Sequence, residues 1–281
     1  MFHGFFESLK RIPKALRSRW VAKKDFFLKD KEIMNIVNTK YYDLQKNKKF
    51  NIFHYAKKQV RILSTQNKII KALYFAIGFF SVRLFFPIEY LIIKELICVK
   101  SVLDLGCGRH STVGILPDTI HKTGVELYDP YLEKAASSKR HALYIKADIT
   151  NIEFKDRSFD AVVALDVIEH LQRKDAIELI EKMERWARRK VIIFTPNGYI
   201  EQGCWEDNPY QKHKSGWTAD FFKRRGYRVY GVRGFKRLHK LIPREIDMGN
   251  PFLTIPIVIT QAVTYFLPKS AYQLFCIKDL S

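Results

Sequence analysis

The sequence predicts an α/β fold, a seven-stranded sheet, parallel through its β-α-β units, with helices on both faces. Two observations predict it. From residue 101 onward, short apolar runs alternate with helical stretches, the rhythm of successive βαβ units. The first of those runs, "SVLDLGCG" (101–108), passes through an aspartate straight into a glycine turn, the kind of strand end at which a ligand approaches the backbone more closely than a Cβ allows. With 281 residues, 47% of them hydrophobic, the chain can bury a substantial core.

The first five strands are read from "SVLDL" (101–105), "KTGVEL" (122–127), "ALYIKAD" (142–148), "FDAVVALD" (159–166) and "KVIIFTP" (190–196). Between them, "YLEKAASSKR" and "RKDAIELIEKMERWARR" read as helices, the second with Ile177, Ile180 and Met183 at helical spacing. "GYRVYGVRGF" (226–235) and "YQLFCIKDL" (272–280) supply strands six and seven. An apolar insertion spans about 236–271, and its greasiest part, 250–268, is broken by Pro256. Residues 1–87 form a separate basic, helical region, and residues 88–281 carry the sheet domain.

The formal charge of +20 is unevenly spread. Residues 1–99 hold 20 Lys/Arg against 7 Asp/Glu, residues 100–200 hold 16 against 15, and residues 201–281 hold 13 against 7. A basic shell around a neutral centre points to an anionic surface met by the flanks, and the plain alternative is a well-solvated exterior. The start of the chain places Phe2, Phe5, Phe6, Leu9, Ile12 and Leu16 at helical spacing among Lys10, Arg11, Lys14, Arg17 and Arg19. That is the pattern of an in-plane helix on anionic lipid, kinked at Pro13. It lacks the form of a secretory signal, and the apolar run 69–93 is interrupted by Lys71, Arg83, Pro87 and Glu89, so neither export nor a membrane span is expected. Four cysteines without C-x-x-C spacing indicate neither a disulfide framework nor a thiolate zinc site, which fits the cytoplasm.

A dinucleotide fingerprint would place a third glycine at position 111, where this chain has Ser111, so NAD is disfavoured. "VLDLGCG" instead resembles the first motif of the class I S-adenosylmethionine-dependent methyltransferases. Later landmarks follow in that family's order: Glu126, 22 residues after Asp104, ends strand two, Asp148 ends strand three, and "FDAVVALDVIEHL" resembles strand four and its turn. The resemblance covers about 88–235 plus the last strand. It implies a Rossmann-like sheet and S-adenosyl-L-methionine as cofactor. The residues it implies for that cofactor are Asp104, Gly106, Cys107, Gly108, Glu126, Leu127, Asp148, Ile149 and Asp166. Glu126 would meet the ribose hydroxyls, Asp148 the adenine amino group, and Asp104 the methionine end. Arg109 and His110 depart from the family's small residues.

For the acceptor side, Asp166, Glu169 and His170 stand at i, i+3 and i+4 in "LDVIEHL", and His213 lies in the loop after strand five. His213 and His170 are assigned as catalytic acid–base groups, with Thr195, Pro196 and Asn197 lining the acceptor pocket. A hydroxyl acceptor needs a base or a metal, and the base is the expected one. The same cluster also resembles metal-using branches of the family, among them small-RNA 2′-O-methyltransferases; in that case Asp166, Glu169, His170 and His213 would be the ligands of a divalent metal. The expected reaction is O-methylation of a small-molecule, glycan or lipid-linked acceptor, by a cytoplasmic protein peripheral to the membrane. Two alternatives are a metal-dependent RNA 2′-O-methyltransferase, disfavoured because no RNA-binding motif is evident, and a non-catalytic membrane-associated adaptor that keeps the fold.

Overall fold

The computed structural model describes residues 87–204, 206–241 and 251–280. The expectations placed on residues 1–86, including the amphipathic start and most of the apolar run 69–93, lie outside the described residues.

Helix α1 (Pro87–Leu96) precedes β1 (Ser101–Leu105), β2 (His121–Glu126), α2 (Asp129–Ser138), β3 (Leu143–Lys146), β4 (Phe159–Leu165), α3 (Arg173–Trp186) and β5 (Ala187–Pro196). After β5 come α4 (Ala219–Arg224), β6 (Arg228–Phe235), α5 (Lys236–Leu241), α6 (Pro251–Thr264) and β7 (Ala271–Asp279). The strand order is β3-β2-β1-β4-β5-β7-β6. The first five strands pair in parallel, and β7 runs antiparallel to both β5 and β6. The seven strands expected from the sequence thus form one sheet, mixed through the reversed strand β7. Its register sets Thr195 opposite Leu274 and Pro196 opposite Gln273.

The strands that read as apolar runs are those buried on both faces: Val102, Leu103 and Leu105 of β1, Ala161 to Ala164 of β4, and Val191 to Phe194 of β5 are all within 1% of complete burial. Helix α3 packs on this sheet through Ala176, Leu179, Ile180, Met183 and Trp186, the i, i+3, i+4 stripe expected of an amphipathic helix. Short α4 begins where the Thr218 side chain accepts the Phe221 N–H. Strand β6 carries a break in its register on β7 between Val232 and Phe235. Among the described residues, no helix is long and apolar enough to cross a membrane.

Candidate functional site

The carboxyl ends of β1 to β4 open into a cavity of about 280 Å³. Its walls include Gly106, Gly108, Glu126, Leu127, Asp148, Ile149 and Asp166, seven of the nine residues assigned to the cofactor from the sequence. The two that do not line it are Asp104 and Cys107. Asp104 is 1% exposed, and its Oδ2 accepts from Ser111 Oγ (2.5 Å) and pairs with His141 Nε2 (2.8 Å). The aspartate thus ties the glycine turn to the chain entering β3 instead of facing a ligand. The Cys107 side chain lies under the turn against Gly124, where burial and the nearby Asp104 and Glu126 charges push its thiol well up.

The two glycines of the turn differ in what they permit. Both are left-handed (φ 61° and 55°). A Cβ on Gly106 would lie 2.7 Å from Val167 Cγ2, so packing within the protein excludes it. A Cβ on Gly108 would meet nothing within 4 Å and would project into open space. Gly108 is therefore the glycine at which a ligand can approach the backbone, while Gly106 answers to the fold.

Glu126 closes the turn. Its Oε2 accepts the Gly108 N–H (2.9 Å), and its Oε1 accepts the N–H groups of Leu127 and Tyr128 (2.9 Å each). Asp148 Oδ1 accepts from the Thr150 N–H (2.9 Å) and hydroxyl (2.7 Å). Two acids at successive strand ends, fixed by backbone donors and facing one cavity beside an open glycine, fit a nucleoside. Each retains acceptor capacity for a ribose hydroxyl or an amino group, and their charge repels a phosphate.

A loop roofs this cavity. Asn208, Tyr210, Gln211 and Lys214 come from the segment after β5, and Tyr131 comes from α2. Glu206 on the same segment forms an ion pair with Arg109 and accepts from Tyr131 Oη. The departure at Arg109 is thus a tie between the glycine turn and the roof, while His110 is exposed and off the cavity wall. Of this loop, only His213 stands out from the sequence.

A second cavity, about 360 Å³, adjoins the first and shares Asp166, His170 and Gln211 with it. Pro196, Glu169, His213, Arg233 and Gln273 are among its walls. His213 arrives there because its loop is stapled to the single 3₁₀ turn Ile168–His170. Lys214 N–H (2.8 Å) and Ser215 N–H (3.1 Å) both donate to Glu169 O, and Ser215 Oγ donates to Ile168 O (3.0 Å). Trp217, wholly buried, anchors the staple by donating from Nε1 to Ser215 Oγ (3.0 Å). The ring centroids of His170 and His213 are 4.9 Å apart.

His213 Nδ1 lies 2.6 Å from Ile200 O and His170 Nδ1 3.4 Å from Lys212 O. A carbonyl can only accept, so each Nδ1 is the protonated nitrogen and each neutral ring keeps its lone pair on Nε2. Burial, and then the charge of His213, hold the His170 imidazole down to about 4. His170 is therefore neutral and a weak proton acceptor at pH 7. Glu169 is 2% exposed and accepts from Thr195 Oγ1 (2.9 Å). Burial first, then repulsion from Asp166, hold its carboxyl well above the usual range. Asp166 opens to the cavity water yet is ringed by protein; that enclosure pushes it up to about 6, moderated by Arg233 and Glu169 and by a hydrogen bond from Gln273 Nε2 (2.9 Å). Its φ of 51° is a conformation few non-glycine residues adopt, here at the boundary of both cavities.

Glu169, His170 and His213 each bring a ligand atom within 4.8 Å of the others, a group that can hold a divalent cation if the side chains draw in. Asp166, the fourth ligand considered from the sequence, is not part of that group. Thr195 and Asn197 do not line the acceptor cavity as expected. Thr195 is buried beneath Glu169, and the Asn197 amide is turned away to donate to the carbonyls of Pro268, Lys269 and Ala271 (2.8–3.1 Å).

Comparison with known proteins bears on the same segment. Residues 103–195, from β1 to β5, match the family model described as "Methyltransferase domain". The chain is 26% identical over 147 residues to phosphoethanolamine N-methyltransferase 1 of Arabidopsis thaliana, covering 50% of this chain and 28% of that one. It is 26% identical over 113 residues to probable tRNA methyltransferase 9B of Bos taurus, covering 40% and 23%. The chain thus spans about a quarter of the length of these curated relatives. A solved S-adenosylmethionine-dependent methyltransferase from Archaeoglobus fulgidus aligns with 71% of this chain and 91% of its own, at 17% identity and a TM-score of 0.46. The domain match, laid over a sheet of order 3-2-1-4-5-7-6 with a cavity at its strand ends, identifies residues 103–195 as a methyltransferase domain.

Proposed function

We propose that the chain transfers a methyl group from S-adenosylmethionine to an oxygen of a small-molecule, glycan or lipid-linked acceptor. The observation that carries the reading is the junction of the two cavities at Asp166 and His170. One cavity has the acids and open glycine for a nucleoside; the other has an imidazole at its wall. The bound cofactor supplies an electrophilic methyl on a sulfonium. The protein's part is to hold the acceptor oxygen in line with it, at the shared boundary, and to exclude water. His213, set by its bond to the Ile200 carbonyl, takes the acceptor proton on Nε2.

Calorimetry with S-adenosylhomocysteine tests the cofactor half. Glu126→Ala is expected to weaken binding by about 1.5–3 kcal/mol, the scale of hydrogen bonds to a charged group. Labelled methyl donor against lipid, glycan and RNA fractions tests the acceptor half. His213→Ala is expected to cut turnover with cofactor affinity unchanged, and unaltered turnover removes it as the base.

The cluster Glu169, His170 and His213 favours a second reading, a metal-dependent RNA 2′-O-methyltransferase. Similarity to a relative named as a tRNA methyltransferase supports keeping RNA among the acceptors tested. Divalent ion bound stoichiometrically by wild type and lost in His213→Ala, with label entering RNA, is the result that selects it.

A membrane-surface location is supported by a stripe on α6 and the turn after it, where Ile259, Val263, Phe266 and Leu267 are exposed at i, i+4, i+7 and i+8 with Lys269 beside them. The separate basic region at 1–87 and the insertion at 236–271 are proposed as the parts that meet the lipid. They leave the methyl-transfer cavities to the rest of the sheet domain.

A further inference from the structure

One residue of the second cavity is not called for by methyl transfer itself. Arg233 stands on its wall with Asp166, His213 and Gln273, exposed to the cavity. Its Cζ lies 5.9 Å from the Phe194 ring centroid. Among the described residues, its guanidinium makes neither a hydrogen bond nor an ion pair. Its charge moderates the raised Asp166 and Glu89 carboxyls, yet its five donors, exposed at the cavity wall, make no hydrogen bond and are left to take an oxyanion.

The backbone is built to put it there. Arg233 and Gly234 are both left-handed (φ 64° and 68°), at the point where β6 breaks register on β7. A bulge of this kind re-aims a side chain that a regular ladder would carry elsewhere. Helix α6 clamps it. Gln261, buried, donates from Nε2 to Gly231 O (3.1 Å) and accepts the Gly234 N–H at Oε1 (3.2 Å), while Thr260 Oγ1 accepts the Phe235 N–H (3.2 Å). A Cβ on Gly234 would lie 2.5 Å from Ile257 O, so the helix sits directly on the bulge. The insertion between β6 and β7 thus fixes the arginine.

We propose that Arg233 anchors an oxyanion of the methyl acceptor, a phosphate or a carboxylate, and so fixes which end of the acceptor faces the cofactor. The proposal rests on the methyltransferase reading of the site. Asp166 and His170 line both cavities, whereas Arg233 lines only the second. An acceptor held by its anionic end at Arg233 therefore presents its other end at the shared boundary. The guanidinium matches a phosphate or carboxylate in two parallel bonds, which also sets the angle of approach. Asp166 would repel an anion placed at the boundary, which reinforces the same orientation.

The test uses the full chain saturated with S-adenosylhomocysteine, into which inorganic phosphate and, separately, acetate are titrated by calorimetry. One of the two ions is expected to bind, and which one distinguishes a phosphorylated from a carboxylated acceptor. Binding is expected to fall at least tenfold in both Arg233→Gln and Arg233→Gly and to persist in the surface control Arg224→Gln. Arg233→Gly relieves the left-handed backbone, so its melting temperature should not drop and lost binding cannot be lost fold. Cofactor affinity should stay within twofold throughout. In a methyl-transfer screen, label should enter the fraction of a metabolite extract retained by an anion exchanger. Neither ion binding to wild type, equal binding to the glutamine and glycine variants, or label confined to the unretained fraction overturns the anchor and leaves Arg233 as a countercharge to Asp166. Failure of S-adenosylhomocysteine itself to bind overturns the methyltransferase reading beneath it, and is read in a separate titration.

Discussion

A Cβ at position 106 would strike Val167, whereas one at position 108 would enter open space, so alanine at the two sites is expected to fail in different ways. Gly106→Ala should lower stability by about 1–3 kcal/mol, combining overpacking with a left-handed backbone, and Val167→Ala in the same chain should recover part of the loss. The double-mutant cycle in urea measures that coupling. Gly108→Ala should melt nearer to wild type yet bind S-adenosylhomocysteine much more weakly. The buried acid Glu169 carries its own signature. Its folded carboxyl sits above the ordinary 4.5, mainly through burial. The folded state thus keeps a proton that the unfolded chain has already released, and stability falls as pH rises from about that value through the folded pKa. Glutamine at 169 does not titrate and still offers an oxygen to the Thr195 hydroxyl. The stability of Glu169→Gln relative to wild type should therefore grow between pH 5 and pH 8 in denaturant titrations; a gap independent of pH contradicts the raised carboxyl.

At the scale of elements, the staple between the roof loop and the 3₁₀ turn is the feature on which the acceptor side depends. Ser215→Ala leaves the Trp217 indole N–H buried without its acceptor and removes the bond to Ile168 O. It is expected to cost about 1–3 kcal/mol and to lower turnover more than cofactor affinity, because the loop that slackens carries His213. The sequence made the strands legible, since β1, β4 and β5 carry apolar runs and the acids at the strand ends follow from their position. It did not show that Asp104 turns inward, because its partner His141 is 37 residues away and joins it only when β3 pairs on β2. Nor could it show Gln273 on Asp166, a contact across 107 residues, or the bulge at Arg233, whose cause is Gln261 on a helix not yet formed when β6 is read. Local runs declare burial, whereas the direction of a polar side chain is decided by partners that the topology delivers.

For the whole molecule, the uneven charge and the exposed stripe of α6 make one joint expectation. Flotation with liposomes should show binding that needs anionic lipid, weakens with salt and falls on deletion of residues 1–20. It should also fall in the double variant Val263→Ser, Phe266→Ser. No binding to any vesicle returns the stripe and the basic flank to plain solvation. The reversed strand β7 has a different consequence, for the order in which the molecule is made. Among the described residues, β6 pairs in the sheet only with β7, so it has no place until residues 271–279 have left the ribosome and slotted between it and β5. The cofactor half, strands β1 to β4, is complete more than a hundred residues earlier. A nascent chain arrested near residue 235 can therefore already shape a nucleoside cavity, but the acceptor wall that carries Gln273 and the aimed Arg233 closes only with the arrival of the last strand.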